Sequence, residues 1–330
     1  MKINKIMVVG HSLPSSLTPA IIAGLRTLGF EVEFFDHFRP NLSTKTIGLV
    51  KNKLANDSTW FETRLNELIN DSLYKTAIKI NPDLVLIFKG RNISFNTIKR
   101  LRNKGYKVIN WYPDFYDDWS WIKTNAPYFD FFITPCLYVK NELNKMRVKA
   151  IYLPFAAAAD ESYIRQQKIY NATFVGRFTS RRDKLFKPLL RTGQLDVWGY
   201  PHWRDSEYRP VYHGLVSPQK RTSIIRKSRI IVNTLTATDD VPIISVNYRV
   251  FEATGVGGFI LSWYNYPLEE FFIPGREIET FKTADEALDK TVFYISHEAA
   301  REKIAKSGWL RTRKDHTYIV RLKKLIKLIK

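Results

Sequence analysis

The chain has 330 residues, roughly twice the length of a common domain, and this length predicts two domains. Hydrophobic residues make up 45% and charged residues 25%, a composition that excludes wholesale disorder. The single cysteine, Cys136, excludes an intramolecular disulfide and a thiolate zinc cluster, and it fits a reducing cytoplasm. No segment reaches the roughly 18 uncharged apolar residues that span a bilayer, and the first apolar run is too short for a signal peptide. We therefore expect a cytoplasmic protein.

The charge balance indicates an anionic partner. Lys and Arg total 52 against 32 Asp and Glu, which gives a formal net charge of +20. Such an excess is typical of proteins that bind nucleic acid, an anionic membrane face or a phosphorylated substrate. Composition alone does not choose among these three.

Apolar runs of strand length alternate with helical patterns in the first half of the chain. The predicted strands are 5–10, 31–36, 83–88, 107–111 and 129–133, and the predicted helices are 19–28, 60–80 and 94–104. Strands that alternate with helices favour a parallel sheet with helices on both faces.

The same alternation restarts after a run of small residues at 156–159, which marks the expected crossing between domains. The predicted strands there are 172–176, 196–199, 230–233 and 258–262, and the predicted helices lie near 186–191, 284–296 and 298–308. We therefore predict an α/β fold with domains 1–155 and 156–312, followed by a basic amphipathic helix at 313–330.

The densest set of polar and glycine residues lies at 245–261. Asn247, Arg249 and Glu252 are the polar residues of a predicted helix that leads through a glycine turn into a strand. A helix N-terminus attracts phosphate through its free N–H groups, and an arginine adds a bidentate donor. A carboxylate one turn later suits a ribose diol. The segment predicts a nucleotide site, and the alternative is an ordinary connection from helix through glycine to strand.

Four segments of the second half carry a family resemblance: 247–255, 258–262, 268–278 and 316–318. With good spacing from about Phe174 to Leu325, they resemble the spore-maturation CgeB-like branch of the GT-B glycosyltransferases, whose C-terminal domain is related to the group 1 transferases. Segments 82–83, 111–118 and 153–155 resemble the N-terminal domain of that family. The resemblance implies two Rossmann-like domains that face each other across a cleft, with a C-terminal helix that crosses back to the first domain.

The resemblance implies that a nucleotide-sugar donor is held mainly by the second domain, residues 156–312. By position, Glu252 corresponds to the acid that binds the nucleotide ribose, and Asn247 and Arg249 correspond to polar contacts near the diphosphate. Thr254 and Gly255, further along the same motif, are expected close to the nucleotide.

A second segment, Phe174-Val-Gly-Arg177, resembles the phosphate loop of the family, with Arg177 facing the diphosphate. One of the cations that follow, Arg181, Arg182 or Lys184, is expected to be the second cation at the diphosphate. The alternative is a solvated basic loop.

One departure from the group 1 pattern concerns the donor sugar. Many of those transferases carry two glutamates eight positions apart, but Ile244 stands eight positions before Glu252. Asp239 or Asp240 in the preceding loop is a candidate substitute. The departure leaves open the contacts to the donor sugar and whether its configuration is retained or inverted.

The acceptor is expected on the first domain, residues 1–155, where loops follow the strand ends. His11 follows the first strand, and an aromatic and acidic segment, 110–119, follows a later one. Aromatic faces stack on sugar rings, and a carboxylate or imidazole can take the proton of an acceptor hydroxyl. Asp114 is the first candidate base, with Asp117 and Asp118 as competitors and His11 as a rival. The alternative is a surface loop with partly buried aromatic residues.

The tail from Arg311 to Lys330 is basic and amphipathic, with apolar residues on one helical face and cations on the rest. One hypothesis places this helix on the anionic inner face of the cytoplasmic membrane, as a peripheral contact. The other treats it as the structural helix that crosses back to the first domain.

Together these observations predict a glycosyltransferase that moves a sugar from a nucleotide diphosphate sugar to a hydroxyl acceptor. A glycan or lipid-linked acceptor in bacterial surface polysaccharide or glycolipid synthesis is expected. No cofactor besides the donor and no obligatory metal is expected, because cationic side chains and a helix N-terminus can neutralise the leaving diphosphate. The alternatives are a nucleotide-sugar epimerase of the same shape, an inactive partner subunit and, less favoured, a nucleic-acid-binding protein. The chain has no helix-turn-helix, RRM or zinc-finger pattern, so no specific nucleic acid is expected.

Overall fold

The computed structural model describes residues 2–13, 16–38, 58–114, 118–158, 162–234 and 245–330, with the backbone alone at 58–61. The chain forms two compact units. Unit 1 comprises Met1–Leu153 together with Leu322–Lys330, and unit 2 comprises Pro154–Arg321.

Unit 1 is built on a six-stranded parallel sheet in the order β2-β1-β3-β4-β5-β6. Its strands are β1 (Lys5–Gly10), β2 (Glu31–Asp36), β3 (Leu84–Phe88), β4 (Lys107–Trp111), β5 (Phe131–Thr134) and β6 (Ala150–Tyr152). Its helices are α1 (Thr18–Thr27), α2 (Ser58–Ile80), α3 (Phe95–Asn103), α4 (Trp119–Asn125) and α5 (Leu137–Lys145), with a 3-10 turn at Ala126–Tyr128. Every residue of β3 is buried, as a strand covered on both faces requires.

The strand order of unit 1 creates a switch point between β1 and β3. The chain leaves β1 for β2 on one side and then returns to β3 on the other side. Ligands of open parallel sheets bind in the crevice at such a point, beyond the carboxyl ends of the strands. The turn after β3 is tight, because a Cβ on Gly90 (φ +66°) would lie 2.4 Å from Cγ2 of Ile87. The loops after β1, β2, β3 and β4 therefore meet at one edge of the sheet.

Unit 2 is built on a five-stranded parallel sheet in the order β11-β10-β9-β7-β8. Its strands are β7 (Tyr170–Val175), β8 (Leu195–Trp198), β9 (Ser228–Asn233), β10 (Ile260–Trp263) and β11 (Glu279–Phe281). Its helices are α6 (Ser180–Arg191), α7 (Pro218–Lys227), α8 (Tyr248–Gly255), α9 (Ala284–Ser296) and α10 (Glu298–Asp315), with 3-10 turns at Pro201–Trp203, Arg209–Val211 and Tyr266–Glu270.

The last helix, α11 (Tyr318–Ile329), begins in unit 2 and ends in unit 1. Its apolar residues Leu322, Leu325 and Ile329 have no exposed surface. The Lys107 ammonium donates a hydrogen bond of 2.7 Å to the carbonyl of Ile329. The prediction of a helix that returns to the first part of the chain is confirmed, and the apolar face of α11 belongs to the protein core.

Several predicted boundaries differ from the structure by one or more residues, and two of them have a clear physical reason. The strand predicted at 129–133 is β5, which starts only at Phe131, because the preceding 3-10 turn with Pro127 sets the entry of the chain. The helix predicted to end at Gly308 is α10, which continues to Asp315. Gly308 lies inside this helix as a packing residue, because a Cβ there would lie only 2.2 Å from the carbonyl oxygen of Glu277.

None of the described helices combines the length and the apolar character that crossing a membrane demands.

Candidate functional site

The loop after β7 is held tightly at the carboxyl edge of the sheet in unit 2. The Gly176 carbonyl accepts a hydrogen bond of 2.9 Å from the Trp203 indole N–H. Gly199, at the end of β8, has φ +136°, and a Cβ on it would lie 2.0 Å from that same carbonyl oxygen. The close approach of two backbone segments fixes the position of the loop that carries Arg177.

Arg182 supports this loop from within. Its side chain is buried, and Nη1 donates a hydrogen bond of 2.7 Å to the carbonyl of Arg177. The guanidinium also lies over the ring of Phe174, 4.9 Å from its centroid. Burial, reinforced by the like charges of Arg177 and Arg249, lowers the pKa of Arg182 to about 10. Arg182 stays protonated at neutral pH, in surroundings that favour a bound anion.

Helix α8 contributes an ion-pair network. Glu252 is buried, and its carboxylate pairs with Arg249 of the same helix and with Nε of Arg221, 2.5 Å away on α7. Arg249 Nη2 also donates to the carbonyl of Val175, at 3.2 Å, so α8 is joined to the end of β7. Burial lowers the pKa of Arg249, and the Glu252 carboxylate opposes that effect. Both carboxylate oxygens of Glu252 are engaged by guanidinium groups.

Arg221 is a functional candidate that the sequence motif missed. It lies on α7, far along the chain from the α8 motif, and only the fold brings it to Glu252. The sequence feature that points to such a residue is the excess of arginine and lysine, but this excess does not single out Arg221.

Asn247 starts α8 and connects two strand ends. Its Nδ2 donates to Oδ1 of Asn233 at 2.9 Å, and Nδ2 of Asn233 donates to Oγ of Ser262 at 2.8 Å. The Oδ1 atom of Asn247 is buried without a hydrogen-bonded partner among the described residues. Asn247 therefore has an unused acceptor beside the N-terminus of α8.

Arg177, Arg181 and Lys184 are exposed cations of this region, and the Arg181 guanidinium lies over the ring of Trp263, 5.4 Å from its centroid. In the part of the chain that the structure describes, the side chains of Arg177 and Lys184 have no ion pair or hydrogen bond. Arg177 lies on the loop, whereas Lys184 lies on the second turn of α6. Arg177, Arg182, Asn247, Arg249 and Glu252 thus meet at the carboxyl edge of the sheet, and among the described residues no hydrogen bond or ion pair joins Lys184 to them.

Thr254 and Gly255 lie at the opposite end of α8 from Asn247 and are buried. The Thr254 hydroxyl donates to the carbonyl of Val250 and accepts from Thr312 of α10, at 2.8 and 2.6 Å. A Cβ on Gly255 would lie 2.7 Å from Cβ of Ala157. These contacts pack α8 against its neighbours.

The charge at this edge is strongly positive in the described residues. Glu252 is the carboxylate that pairs with Arg221 and Arg249, while Arg177 and Arg182 have no acidic partner there. Asp239, Asp240 and Ile244 lie outside the described residues. Guanidinium groups beside a helix N-terminus can bind a diphosphate and stabilise it as a leaving group.

The predicted acidic candidates of unit 1 occupy different surroundings. Asp114 is exposed and pairs with the ammonium of Lys89. Asp118 is buried: its Oδ2 accepts a hydrogen bond of 2.6 Å from the Tyr112 hydroxyl, and its Oδ1 pairs with Arg91 at 2.8 Å. Asp117 lies outside the described residues. Asp114 can reach solvent, whereas Asp118 is held by two partners.

His11 lies at the switch point in a cluster of rings with His37 and Phe38, at centroid distances of 6.3 and 5.2 Å. Burial, with a contribution from Lys89, lowers the pKa of His11, and the Asp36 carboxylate partly opposes that effect. Burial lowers the pKa of His37 to about 4. Nδ1 of His11 is buried without a hydrogen-bonded partner among the described residues. A neutral imidazole of this kind can act as a general base.

Within the described residues, no group of three or more His, Cys, Asp or Glu side chains is arranged to hold a metal ion.

The sequence of residues 181–327 matches a family model described as "Glycosyl transferase-like". Among curated protein sequences, none matches the chain significantly. The match covers α8, α10 and most of the charged cluster described above.

Many solved structures share the fold at low sequence identity. Sucrose-phosphate synthase from Thermosynechococcus elongatus is 10% identical at a TM-score of 0.63, over 98% of both chains. HepE from Anabaena, solved with UDP-glucose, is 11% identical at 0.61, over 98% of this chain and 99% of its own. A putative UDP-N-acetylglucosamine 2-epimerase from Listeria monocytogenes is 12% identical at 0.59, over 100% of this chain and 96% of its own. The chain therefore has the GT-B fold and carries a glycosyltransferase-like domain.

Proposed function

We propose that this chain is a glycosyltransferase that moves a sugar from a nucleotide diphosphate sugar to a hydroxyl acceptor. The observation that carries the proposal is the guanidinium cluster of Arg177, Arg182, Arg221 and Arg249 around the start of α8. All but Arg177 lie within residues 181–327, the segment that is glycosyltransferase-like in sequence. A doubly charged diphosphate is the ligand that such a cluster neutralises best.

In this mechanism Arg177 contacts the donor diphosphate directly. Arg182 and Arg249 hold the loop carbonyls and add positive potential, so the site is already organised when the bond to the sugar breaks. Glu252 is fixed by two guanidinium groups, and its remaining lone pairs can accept hydrogen bonds from a ribose diol. We assign Thr254 and Gly255 the indirect role of packing α8, and we keep Lys184 as an outer cation.

No divalent metal is required in this proposal, because the arginines supply the positive charge at the leaving group. Full activity in the presence of a chelator is the expected result. Activity that chelation abolishes and magnesium or manganese restores would refute this part.

For the acceptor, we propose that His11 or Asp114 takes the hydroxyl proton. His11 offers a neutral, half-buried imidazole, and Asp114 offers an exposed carboxylate held by Lys89. Asp118 positions Arg91 and Tyr112 instead. The His11→Ala and Asp114→Asn variants separate the two: loss of the base lowers kcat and removes one limb of the pH profile, while the affinity for the nucleotide is unchanged.

On its sequence motifs we place the chain in the CgeB-like branch and its acceptor in bacterial surface polysaccharide or glycolipid synthesis, at the cytoplasmic face of the membrane. The exposed lysines Lys323, Lys324 and Lys327 of α11 support a peripheral contact with anionic lipid.

The test is calorimetric titration with UDP, GDP, ADP and dTDP, followed by product analysis with the matching nucleotide sugar. UDP comes first because HepE was solved with UDP-glucose. The fold is shared with a 2-epimerase, so the donor is also incubated alone. A transferred or hydrolysed sugar supports the proposal, an epimerised nucleotide sugar supports the epimerase, and binding without turnover supports an inactive partner subunit.

A further inference from the structure

Two cavities adjoin each other in unit 1 at the loop after β3. The first, the histidine pocket, has a volume of about 390 Å³ and is lined by His11, His37 and Phe38, among others. The second, the amide groove, has a volume of about 600 Å³ and extends between α2, α3 and α4. Asn66, Arg91 and Asn92 line both, so the two cavities form one continuous surface.

The amide groove is rich in side chains that recognise hydroxyl groups. Five asparagines line it, together with the aromatic rings of Phe95 and Trp121: Asn66, Asn70, Asn92, Asn96 and Asn125. Asn70 is structural, because its amide donates to the carbonyls of Asn66 and Asn92 and accepts from the Ser94 N–H.

Other amides of the groove are available to a ligand. Among the described residues, the side chains of Asn66 and Asn96 have no hydrogen-bonded partner. An amide presents a donor and an acceptor side by side, which suits neighbouring hydroxyl groups. Trp121 is half-buried and stacks on Tyr112 at a centroid distance of 4.9 Å, so its ring is held rigidly where it lines the groove.

The charges of the groove are balanced. Each of its three arginines has an acidic partner: Arg64 pairs with Glu67, Arg100 with Asp71, and Arg91 with Asp118. This balance contrasts with the guanidinium cluster of unit 2, where acidic partners are lacking among the described residues. The groove therefore suits an uncharged ligand.

The histidine pocket is smaller and carries three charged residues. Lys89 pairs with Asp114 and Arg91 with Asp118, and the third, Glu62, is exposed. Leu65, Ile69 and Phe38 supply apolar walls. Nδ1 of His11 is buried without a hydrogen bond to the described residues, and the ring of His37 interacts with the side chain of Asn92. A neutral imidazole offers one donor and one acceptor. Apolar walls with such groups match a sugar ring, which has C–H faces and hydroxyl edges.

We propose that the histidine pocket and the amide groove together bind a neutral oligosaccharide, with the terminal ring in the pocket and the preceding rings along the groove beside Trp121. The inference rests on the proposed glycosyltransferase function and narrows its acceptor. The acceptor is then a glycan chain of several uncharged sugars.

The test is calorimetric titration of the full-length protein with maltotetraose, cellotetraose and chitotetraose, their monosaccharides glucose and N-acetylglucosamine, and the anionic tetragalacturonate. At least one neutral tetrasaccharide is expected to bind about tenfold more tightly than its monosaccharide and than tetragalacturonate. Asn66→Ala and Trp121→Ala should each weaken that binding about tenfold, and Trp121→Phe should restore most of it. Asn103→Ala is the matched control, because Asn103 is exposed and lines a different cavity of unit 1.

Three results would overturn the inference: no tetrasaccharide binds, tetragalacturonate binds more tightly than the neutral chains, or Asn66→Ala behaves like Asn103→Ala. Thermal unfolding checks that each variant is folded. If Trp121→Ala does not fold, the binding measured for Asn66→Ala is the test of the inference. Nucleoside diphosphate binding is measured on the same samples. If it persists while the glycans fail, only the acceptor inference falls; if it too is absent, the proposed function falls.

Discussion

Arginines of the donor site that look alike in the sequence have different roles in the structure. Arg182 and Arg249 are buried or half-buried and donate to loop carbonyls, whereas Arg177 is exposed and has no partner among the described residues. A side chain of the first kind contributes to stability as well as to binding. A side chain of the second kind can be removed without loss of the fold.

We predict that Arg177→Ala weakens nucleoside diphosphate binding roughly tenfold to hundredfold, the value of a hydrogen bond to a charged group. Its free energy of unfolding should match that of the wild type, because Arg177 is exposed. The matched control is Arg191→Ala, another exposed arginine, in the last turn of α6. Equal losses for the nucleoside and the nucleoside diphosphate in calorimetry would show that Arg177 does not contact the diphosphate.

Glu252→Gln is expected to reduce stability as well as affinity. The substitution leaves Arg221 and Arg249 without their carboxylate, and breaking a buried ion pair in this way costs about 3 kcal/mol. Urea unfolding measures that cost, and calorimetry at a temperature where the variant is folded measures the affinity. Glu270→Gln, at an exposed carboxylate, is the control. A variant with wild-type stability would contradict the ion-pair network.

His316 predicts an acid-sensitive stability. Its Nε2 lies 2.8 Å from the carbonyl of Phe271 and its Nδ1 lies 2.9 Å from Nη2 of Arg321, so the ring is held neutral. Burial lowers its pKa to about 4; the Phe271 carbonyl and Asp315 oppose that effect, and Arg321 and Arg311 add to it. Between the unfolded pKa of about 6.5 and pH 4, the unfolded chain binds more protons, so stability falls as the pH falls.

Between pH 6.5 and pH 4, titration of His316 is expected to lower the free energy of unfolding by about 3 kcal/mol. His37 has a similar pKa and is expected to lower it by a comparable amount. His316→Gln keeps a donor and an acceptor but does not titrate. Urea unfolding at pH 7, 6, 5 and 4 should therefore show a smaller decrease for this variant, with the share of His37 remaining. The same pH dependence in variant and wild type would exclude His316 as a source.

At the scale of the elements, the junction of β7 and β8 determines where the Arg177 loop lies. We predict that Gly199→Ala lowers the free energy of unfolding by about 3 kcal/mol, from backbone strain and the collision with the Gly176 carbonyl. Nucleotide affinity should fall with it, because the loop must move. Gly193→Ala also has a positive φ, +66°, but nothing lies near its Cβ, so it should cost only about 1 kcal/mol and leave affinity intact. Equal effects of the two variants in urea unfolding would refute the steric argument.

Elements were predictable where burial alone determines them. Strands β1 and β4 have the predicted bounds, because a parallel strand covered on both faces is a short apolar run. The edge strand β2 also has the predicted bounds, although only Val32 and Phe35 of it are buried. The strands β6 and β11 were not predicted, since a three-residue strand carries too little sequence pattern.

The candidate site likewise has residues that the sequence predicts and residues that it does not. The polar residues of α8 were visible as a local motif, but Arg221 and Asn233 join them only through the fold.

At the scale of the whole molecule, the net charge of +20 overstates the surface available to anions. Arg301 is fully buried, and its Nη1 donates to the carbonyl of Tyr294 at 2.6 Å, at the end of α9. Arg321 is also buried and holds His316. Part of the excess of Lys and Arg is therefore structural. These buried arginines cannot contact nucleic acid, so they do not support a nucleic-acid-binding function. The lysines of α11, by contrast, are exposed.

The two hypotheses for the tail can be separated because its faces differ. The apolar residues Leu322, Leu325 and Ile329 are buried in unit 1, so they are not available to insert into a bilayer. Truncation after Tyr318 should therefore expose apolar surface of unit 1 and lower the stability or cause aggregation, even without a membrane. A truncated protein as stable as the full chain in thermal unfolding would contradict the packing of α11.

Membrane attachment, if it rests on α11, must then be electrostatic. Replacing Lys323, Lys324 and Lys327 by Gln removes three exposed cations, each worth about 1 kcal/mol near an anionic surface. Binding to anionic liposomes in co-sedimentation should fall roughly hundredfold, while stability and nucleotide affinity are unchanged. The control replaces three exposed lysines of α10, Lys303, Lys306 and Lys314, by Gln and matches the change in net charge. Equal losses of liposome binding in both variants would mean that net charge alone is responsible. Sedimentation of the intact protein with neutral vesicles would exclude an electrostatic contact, because neutral lipid offers the lysines no opposite charge.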